Sequence, residues 1–245
     1  MRERFRSFGS AKVSLLLRPS GHVGGDLVGF FPINARRVGL YGIDVAGHGI
    51  ASALMTARIS GYLSGVSPDQ NVAMIQTELG LYDALPPAEL AATLNRIVPR
   101  EIRTDSYFTL IYADVDLVSG EVAMVQAGHP MPAVLRRDGR VEFLGSGGLP
   151  IGLIENAHYD TITTRLLPGD RLFLGSDGIT EAAGPDGSFL GDEGLKRILQ
   201  AESHLRGPAF LDAVQGDLVA YAEAALADDV SAVFFEFDGP KRNAD

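Results

Sequence analysis

The sequence predicts an α+β fold, an antiparallel sheet system with helices packed on its outside. Three observations lead there. Apolar runs rich in Val, Leu, Ile and Phe recur along the chain, as buried strands require. They come in the order strands, helices, many strands, helices and a final strand, so the βαβ alternation of a doubly wound parallel sheet is missing. No Pro/Gly/Ser-rich linker splits the 245 residues into two cores, which suits a single domain.

Residues 12–17, 26–33 and 37–45 read as successive strands. After Gly49 the pattern turns helical, and Ala53, Ala57 and Gly61 form a small-residue stripe that would let a helix lie close on a sheet. Ser67-Pro68-Asp69-Gln70 reads as a helix start, with Ser as N-cap, Pro at the first position and Gln closing a capping box. Val72, Ile75, Leu79 and Tyr82 follow at helical spacing, and Pro86-Pro87 stops that helix. A further helix carries Leu90, Leu94 and Ile97 and ends at Pro99. Strands are expected at 107–116 and 121–127, joined through Val118-Ser119-Gly120, then at 132–136, 140–144, 158–166 and 170–175. Residues 192–200 form a helix, and Leu211, Val214, Leu218, Tyr221 and Ala225 mark another after the break at Gly207-Pro208. The run VSAVFFEF at 230–237 is the last strand. Residues 1–10 are expected as an N-terminal extension, 11–238 as the domain and 239–245 as a polar tail.

Composition narrows the function. Lys and Arg total 21 against 31 Asp and Glu, a formal charge of −10, which phosphate backbones repel, so no nucleic-acid partner is expected. The absence of cysteine rules out disulfides, thiolate metal sites and a cysteine nucleophile. No apolar run approaches the ~20 residues of a membrane helix. The start, MRERFRSFGSAKV, lacks the apolar core of a secretory signal. The expectation is a soluble cytoplasmic protein with no membrane partner.

Several acidic residues share one setting, beside glycine at the end of an apolar strand. Asp26 follows Gly24-Gly25, Asp44 ends VGLYGID, Asp177 ends RLFLGSD, and Asp228-Asp229 precede the last strand. Asp and Gly dominate turns for local reasons, and for any one position a turn is the better reading. Taken together, they favour a site. Converging carboxylates need cations, and Mg²⁺ or Mn²⁺ prefers such oxygen ligands.

The series GGD at 24–26, DVAGHG at 44–49, AGHP at 127–130, PIGL at 150–153, SDGITEA at 176–182 and DDVS at 228–231 resembles the SpoIIE/RsbU-type branch of metal-dependent serine/threonine protein phosphatases, the bacterial side of the type 2C superfamily. The motifs run in order from about residue 11 to 237, with Leu94-Asn95 preceding the strand that holds Phe108-Thr109. The resemblance implies a four-layer α/β/β/α sandwich of two antiparallel sheets with helices on both outer faces. It also implies two Mn²⁺ or Mg²⁺ ions at one end. By position, Asp44 would bridge the ions, the Val45 carbonyl would bind one, Asp26 would hold the second, and Asp177 and Asp228 would complete the set, with Asp229 behind them. Two such ions can bring water's pKa from about 15.7 towards neutrality and neutralise phosphate oxygens. No side-chain nucleophile is then required, in keeping with the lack of Cys and of a Gly-x-Ser-x-Gly elbow.

His48 could protonate the leaving oxygen, although a structural role at a helix start is favoured, as it is for His129. His22 has no assignment, and His158 and His204 read as partly exposed. Many relatives carry an acidic residue where Gly29 stands, so one carboxylate near the metals is expected to be missing. Ala46 and Ser176 are mild departures. Arg18 is the nearest counterpart of a phosphate-binding Arg in eukaryotic relatives, and no motif supports it. The implied substrate is a phosphorylated regulatory protein such as an anti-sigma-factor antagonist. The implied regulator is an upstream sensor or receiver domain or a separate partner, and a homodimer is left open. The alternative is a non-catalytic or weakly active phosphatase-fold scaffold that binds a partner, against which stand the four retained aspartates. A nucleotide-dependent kinase ranks far behind, because Gly145-Ser146-Gly147-Gly148 lacks the lysine of a phosphate loop.

Overall fold

The computed structural model describes residues 4–21, 24–47, 49–102, 106–222 and 226–240. One sheet holds, in spatial order, β1 (Phe5–Ser7), β2 (Ala11–Arg18), β13 (Val230–Phe237), β12 (Arg171–Gly175), β9 (Ala133–Leu135) and β10 (Val141–Phe143). The other holds β11 (Thr161–Arg165), β8 (Glu121–Ala127), β7 (Phe108–Asp116), β4 (Arg37–Val45) and β3 (Leu27–Pro32). Every pairing in both sheets is antiparallel.

Three apolar layers follow from the strand sequences. Val13, Val28, Leu40, Ile111, Leu172, Val233 and Phe235 meet between the sheets. Alternate residues of the same strands point outward. Tyr41, Ile43 and Tyr112 pack under α1 (Ile50–Tyr62) and α2 (Pro87–Ile102). Leu16, Phe173 and Phe234 pack under α4 (Gly191–Ala201) and α5 (Gly207–Ala222). Strands covered on both faces lose polar alternation, which is why all of β12 and β13 is buried. The result is the expected four-layer α/β/β/α sandwich.

Four local expectations need correction. The stretch after Ser67 is no helix: a 3-10 turn at Pro68–Gln70 leads into a hairpin of β5 (Met74–Gln76) and β6 (Tyr82–Ala84). Ser67 makes no side-chain cap, and the Asn71 side chain takes the Ala73 N–H instead, an Asx turn that diverts the chain from helix. On α1 the stripe faces outward. Ala57 and Gly61 are exposed, while Ser52, Met55, Thr56, Ile59 and Leu63 are buried, because larger apolar groups gain more from burial than Ala or Gly. Pro87 opens α2 rather than closing a helix, and α2 runs through Pro99 to Ile102, since one proline forfeits one main-chain bond. Within the N-terminal stretch, β1 extends the first sheet along β2.

Candidate metal centre

Antiparallel pairing decides which strand ends meet. Leu27 lies opposite Ile43, Gly175 opposite Ala232, and Val230 opposite Arg18. The start of β3 thus lies beside the end of β4, and the end of β12 beside the start of β13, and the approach of the Asp26 N–H to Asp229 Oδ2 brings both pairs to one rim of the sandwich. Asp26, Asp44, Asp177 and Asp228 stand at those four points. Asp177 opens a single helical turn, α3 (Asp177–Thr180).

Glycines let the backbone close around this rim. A Cβ on Gly25 would stand 2.9 Å from the Val45 carbonyl oxygen, 3.5 Å from Asp44 Oδ1 and 3.7 Å from the Gly47 carbonyl oxygen. A Cβ on Gly178 would overlap the Asp229 carbonyl. From α1, the Thr56 hydroxyl donates to the Gly25 carbonyl at 2.8 Å and ties the loop to the helix. The Ser176 Oγ accepts the Ser231 N–H at 3.0 Å and so joins the Asp177 and Asp228 segments.

Electrostatics make the cluster unfavourable on its own. Asp26 is 7% exposed, and its Oδ2 is buried without a hydrogen-bond partner. Burial, with Asp44 and Asp229 nearby, pushes its carboxyl up to about 8 against the opposing Ser231 and Ser176 hydroxyls. Burial and then Asp177, Asp228 and Asp229 push Asp44 up to about 7. Asp177 is raised by burial and then by Asp228 and Glu181. Among the described residues, no three His, Asp or Glu side chains are already placed to grip one ion. What the rim offers is a set of oxygen donors, carboxylates and backbone carbonyls with one buried oxygen unpaired. That set fits hard divalent cations.

His48 and His22 lie outside the described residues. His129 is 3% exposed and sits between the sheets, its Nδ1 2.8 Å from Thr109 Oγ1 and its ring bonded to the Gly175 backbone. Burial lowers it to about 3, so it stays neutral and serves as an internal tie, the structural role expected. Asn95 joins the site's flank by accepting the Gly152 N–H at 2.7 Å and donating to the Ile154 carbonyl at 3.0 Å. Arg18 ends β2 in an exposed position opposite Val230.

Gly29 departs from its expected place. In the pleat of β3 it faces opposite to Val28, whose side chain lies between the sheets. A Cβ on Gly29 would run into the Tyr41 ring. A carboxylate there would point towards the α1 layer, so Gly29 marks no missing ligand. Sequence reasoning also missed Ser20, Thr56, Ser231 and Glu181. Thr56 and Glu181 sit inside ordinary helix and turn patterns, and Ser20 touches a residue 209 positions away.

Residues 34–238 match the model of the family described as stage II sporulation protein E (SpoIIE), a stretch that begins after Asp26. Phosphoserine phosphatase RsbP of Bacillus subtilis is 29% identical over 163 residues, 66% of this chain and 38% of RsbP. Phosphoserine phosphatase RsbU of the same organism is 25% identical over 191 residues, 78% of this chain and 52% of RsbU. The chain thus spans from 38% to 52% of the length of these two relatives. Among solved structures, the SiaA-PP2C domain of Pseudomonas aeruginosa superposes with a TM-score of 0.75 at 23% identity, covering 92% of this chain and 86% of that one.

Proposed function

From the premise that the chain belongs to the SpoIIE family, we propose that it is a metal-dependent protein serine/threonine phosphatase, a phosphoric monoester hydrolase acting on a phosphorylated regulatory protein. The observation that carries the reading is the convergence of four aspartates from four strand ends, with the buried Asp26 Oδ2 left unpaired.

Asp26, Asp44, the Val45 carbonyl, Asp177 and Asp228 would hold two Mn²⁺ or Mg²⁺ ions. Bound there, the ions supply the positive charge that acidifies water near neutral pH and offsets the phosphate's own charge. Asp44 suits the central position, since its carboxyl responds to Asp177, Asp228 and Asp229 together. Asp228 is exposed at the rim, which leaves the site open to a phosphorylated side chain on a protein surface. Hydrolysis returns the serine or threonine hydroxyl and releases inorganic phosphate, with no cysteine in the chain to form a phosphocysteine intermediate. Relatives named phosphoserine phosphatases support phosphoserine as substrate; an anti-sigma-factor antagonist as its carrier, and control by a sensor domain or partner, are what the motif resemblance implies. A cytoplasmic setting is in keeping with the described helices, none of which is long and apolar enough to cross a membrane.

The test is hydrolysis of 4-nitrophenyl phosphate and of a phosphoserine protein with Mn²⁺, with Mg²⁺ and with EDTA. Turnover should require the ion and vanish with chelator. Undiminished turnover in EDTA would reject the metal mechanism, and a folded protein inert at every Mn²⁺ concentration would favour the scaffold reading.

A further inference from the structure

Asp229 does more than begin the last strand. It is 6% exposed, and its Oδ1 accepts both the Ser20 N–H at 2.7 Å and the Ser20 hydroxyl at 3.1 Å. Its Oδ2 lies 3.4 Å from the Asp26 N–H. Its backbone carbonyl takes the Ser176 hydroxyl at 3.3 Å, and its N–H donates to Asp228 Oδ1 at 2.7 Å. One residue thereby joins both ends of the β2–β3 connection, at Ser20 and at Asp26, to the segments carrying Asp177 and Asp228.

Burying one more carboxylate beside Asp26 and Asp44 is costly, so its acceptors must accomplish something an apolar residue could not. Gly24 gives the second observation. Its φ lies outside the left-handed region, so its backbone does not demand glycine, yet a Cβ there would overlap the Asp229 carboxylate. The loop is shaped to admit this side chain.

We propose that Asp229 is a positioning residue: through Ser20 and the Asp26 backbone it sets the spacing between the Asp26 loop and the Asp177 and Asp228 segments, and so tunes the affinity of the rim for divalent cations. This rests on the metal reading above. Groups that orient metal ligands typically change affinity by about 10–100-fold when lost.

The experiment is calorimetric titration of the full chain, Asp229→Asn and Ser20→Ala with MnCl₂, beside thermal melts in EDTA and turnover at saturating Mn²⁺. Asp229→Asn should weaken Mn²⁺ binding about 10-fold or more, keep most of its turnover once saturated, and melt no lower than the parent in EDTA. Ser20→Ala changes no charge, removes one of the hydrogen bonds, and should weaken binding about 2–5-fold. If Asp229→Asn fails to fold, Ser20→Ala decides. Unchanged Mn²⁺ affinity in Asp229→Asn overturns the inference alone. Weakening in Asp229→Asn with none in Ser20→Ala means that charge, not position, matters, and also overturns it. Turnover lost even at saturating Mn²⁺ would show a role beyond setting affinity and overturns the inference. A parent that binds no Mn²⁺ overturns the metal reading and this inference with it.

Discussion

Without divalent ions, the acidic rim should weaken the fold in a pH-dependent way. Burial and neighbouring carboxylates hold Asp26 up to about 8 and Asp44 up to about 7, whereas both titrate near 3.9 in an unfolded chain. Between those values the folded state keeps protons that the unfolded chain has released. Stability therefore falls as pH rises through the folded values. His129, lowered to about 3 by burial, works in the opposite sense, but only below about pH 6.5, where the unfolded imidazole charges. The interval from pH 6.5 to 8 isolates the carboxylates. Across it Asp26 accounts for about 1.5 kcal/mol and the part-exposed Asp44 for about 0.5 kcal/mol after solvent screening. For a chain of 245 residues, about 2 kcal/mol lowers the melting temperature by about 4–8 °C. Circular-dichroism melts in EDTA at the two pH values measure the drop. Saturating Mn²⁺ should shrink it, and Asp26→Asn should remove most of it. A melting temperature in EDTA that is flat or rises between pH 6.5 and 8, or an Asp26→Asn protein with the parent's slope, would refute the reasoning.

Asp44→Asn and Asp177→Asn should each abolish nearly all phosphate-ester turnover, while melts in EDTA show the same or higher stability because each removes repulsion from the rim; parental turnover at saturating Mn²⁺ would show the site to be misplaced. Gly29→Asp should destabilise the fold by about 2 kcal/mol or more through overlap with the Tyr41 ring and a buried charge. It should bring no gain in Mn²⁺ affinity, and a folded variant that binds Mn²⁺ more tightly would restore Gly29 to the site.

Where a signal is local, the chain is legible. The runs RLFLG and VSAVFFEF are strands buried on both faces, and no other short element hides so many consecutive apolar side chains. Asp116 shows the same for turns: its side chain accepts the Val118 and Ser119 N–H groups and closes the β7–β8 hairpin. The helix expected after Ser67 is absent although Val72, Ile75, Leu79 and Tyr82 keep a helical period, because Asn71 takes the Ala73 N–H and competes for the backbone, and Ile75 and Leu79 stay exposed. On α1 the stripe of small residues was visible, but which face meets a sheet depends on the sheet.

The sequence alone determined an antiparallel sheet system with helices outside and the acidic motifs, because apolar strand runs and glycine-flanked carboxylates leave their mark within a few residues; the four-layer arrangement came only as what the motif resemblance implies. Tertiary structure decided the rest. Whether Asp26 and Asp229 meet depends on β3 and β13 starting at one rim, a matter of packing between two sheets and of segments about 200 residues apart. Gly29 could be read as a missing ligand only until the pleat of β3 turned it towards Tyr41. Asp229, one residue from a neighbour of identical chemistry, differs from Asp228 through the buried contacts it makes with Ser20, Asp26 and Ser176. Such contacts arise between chain segments brought together by packing, and no local pattern encodes them.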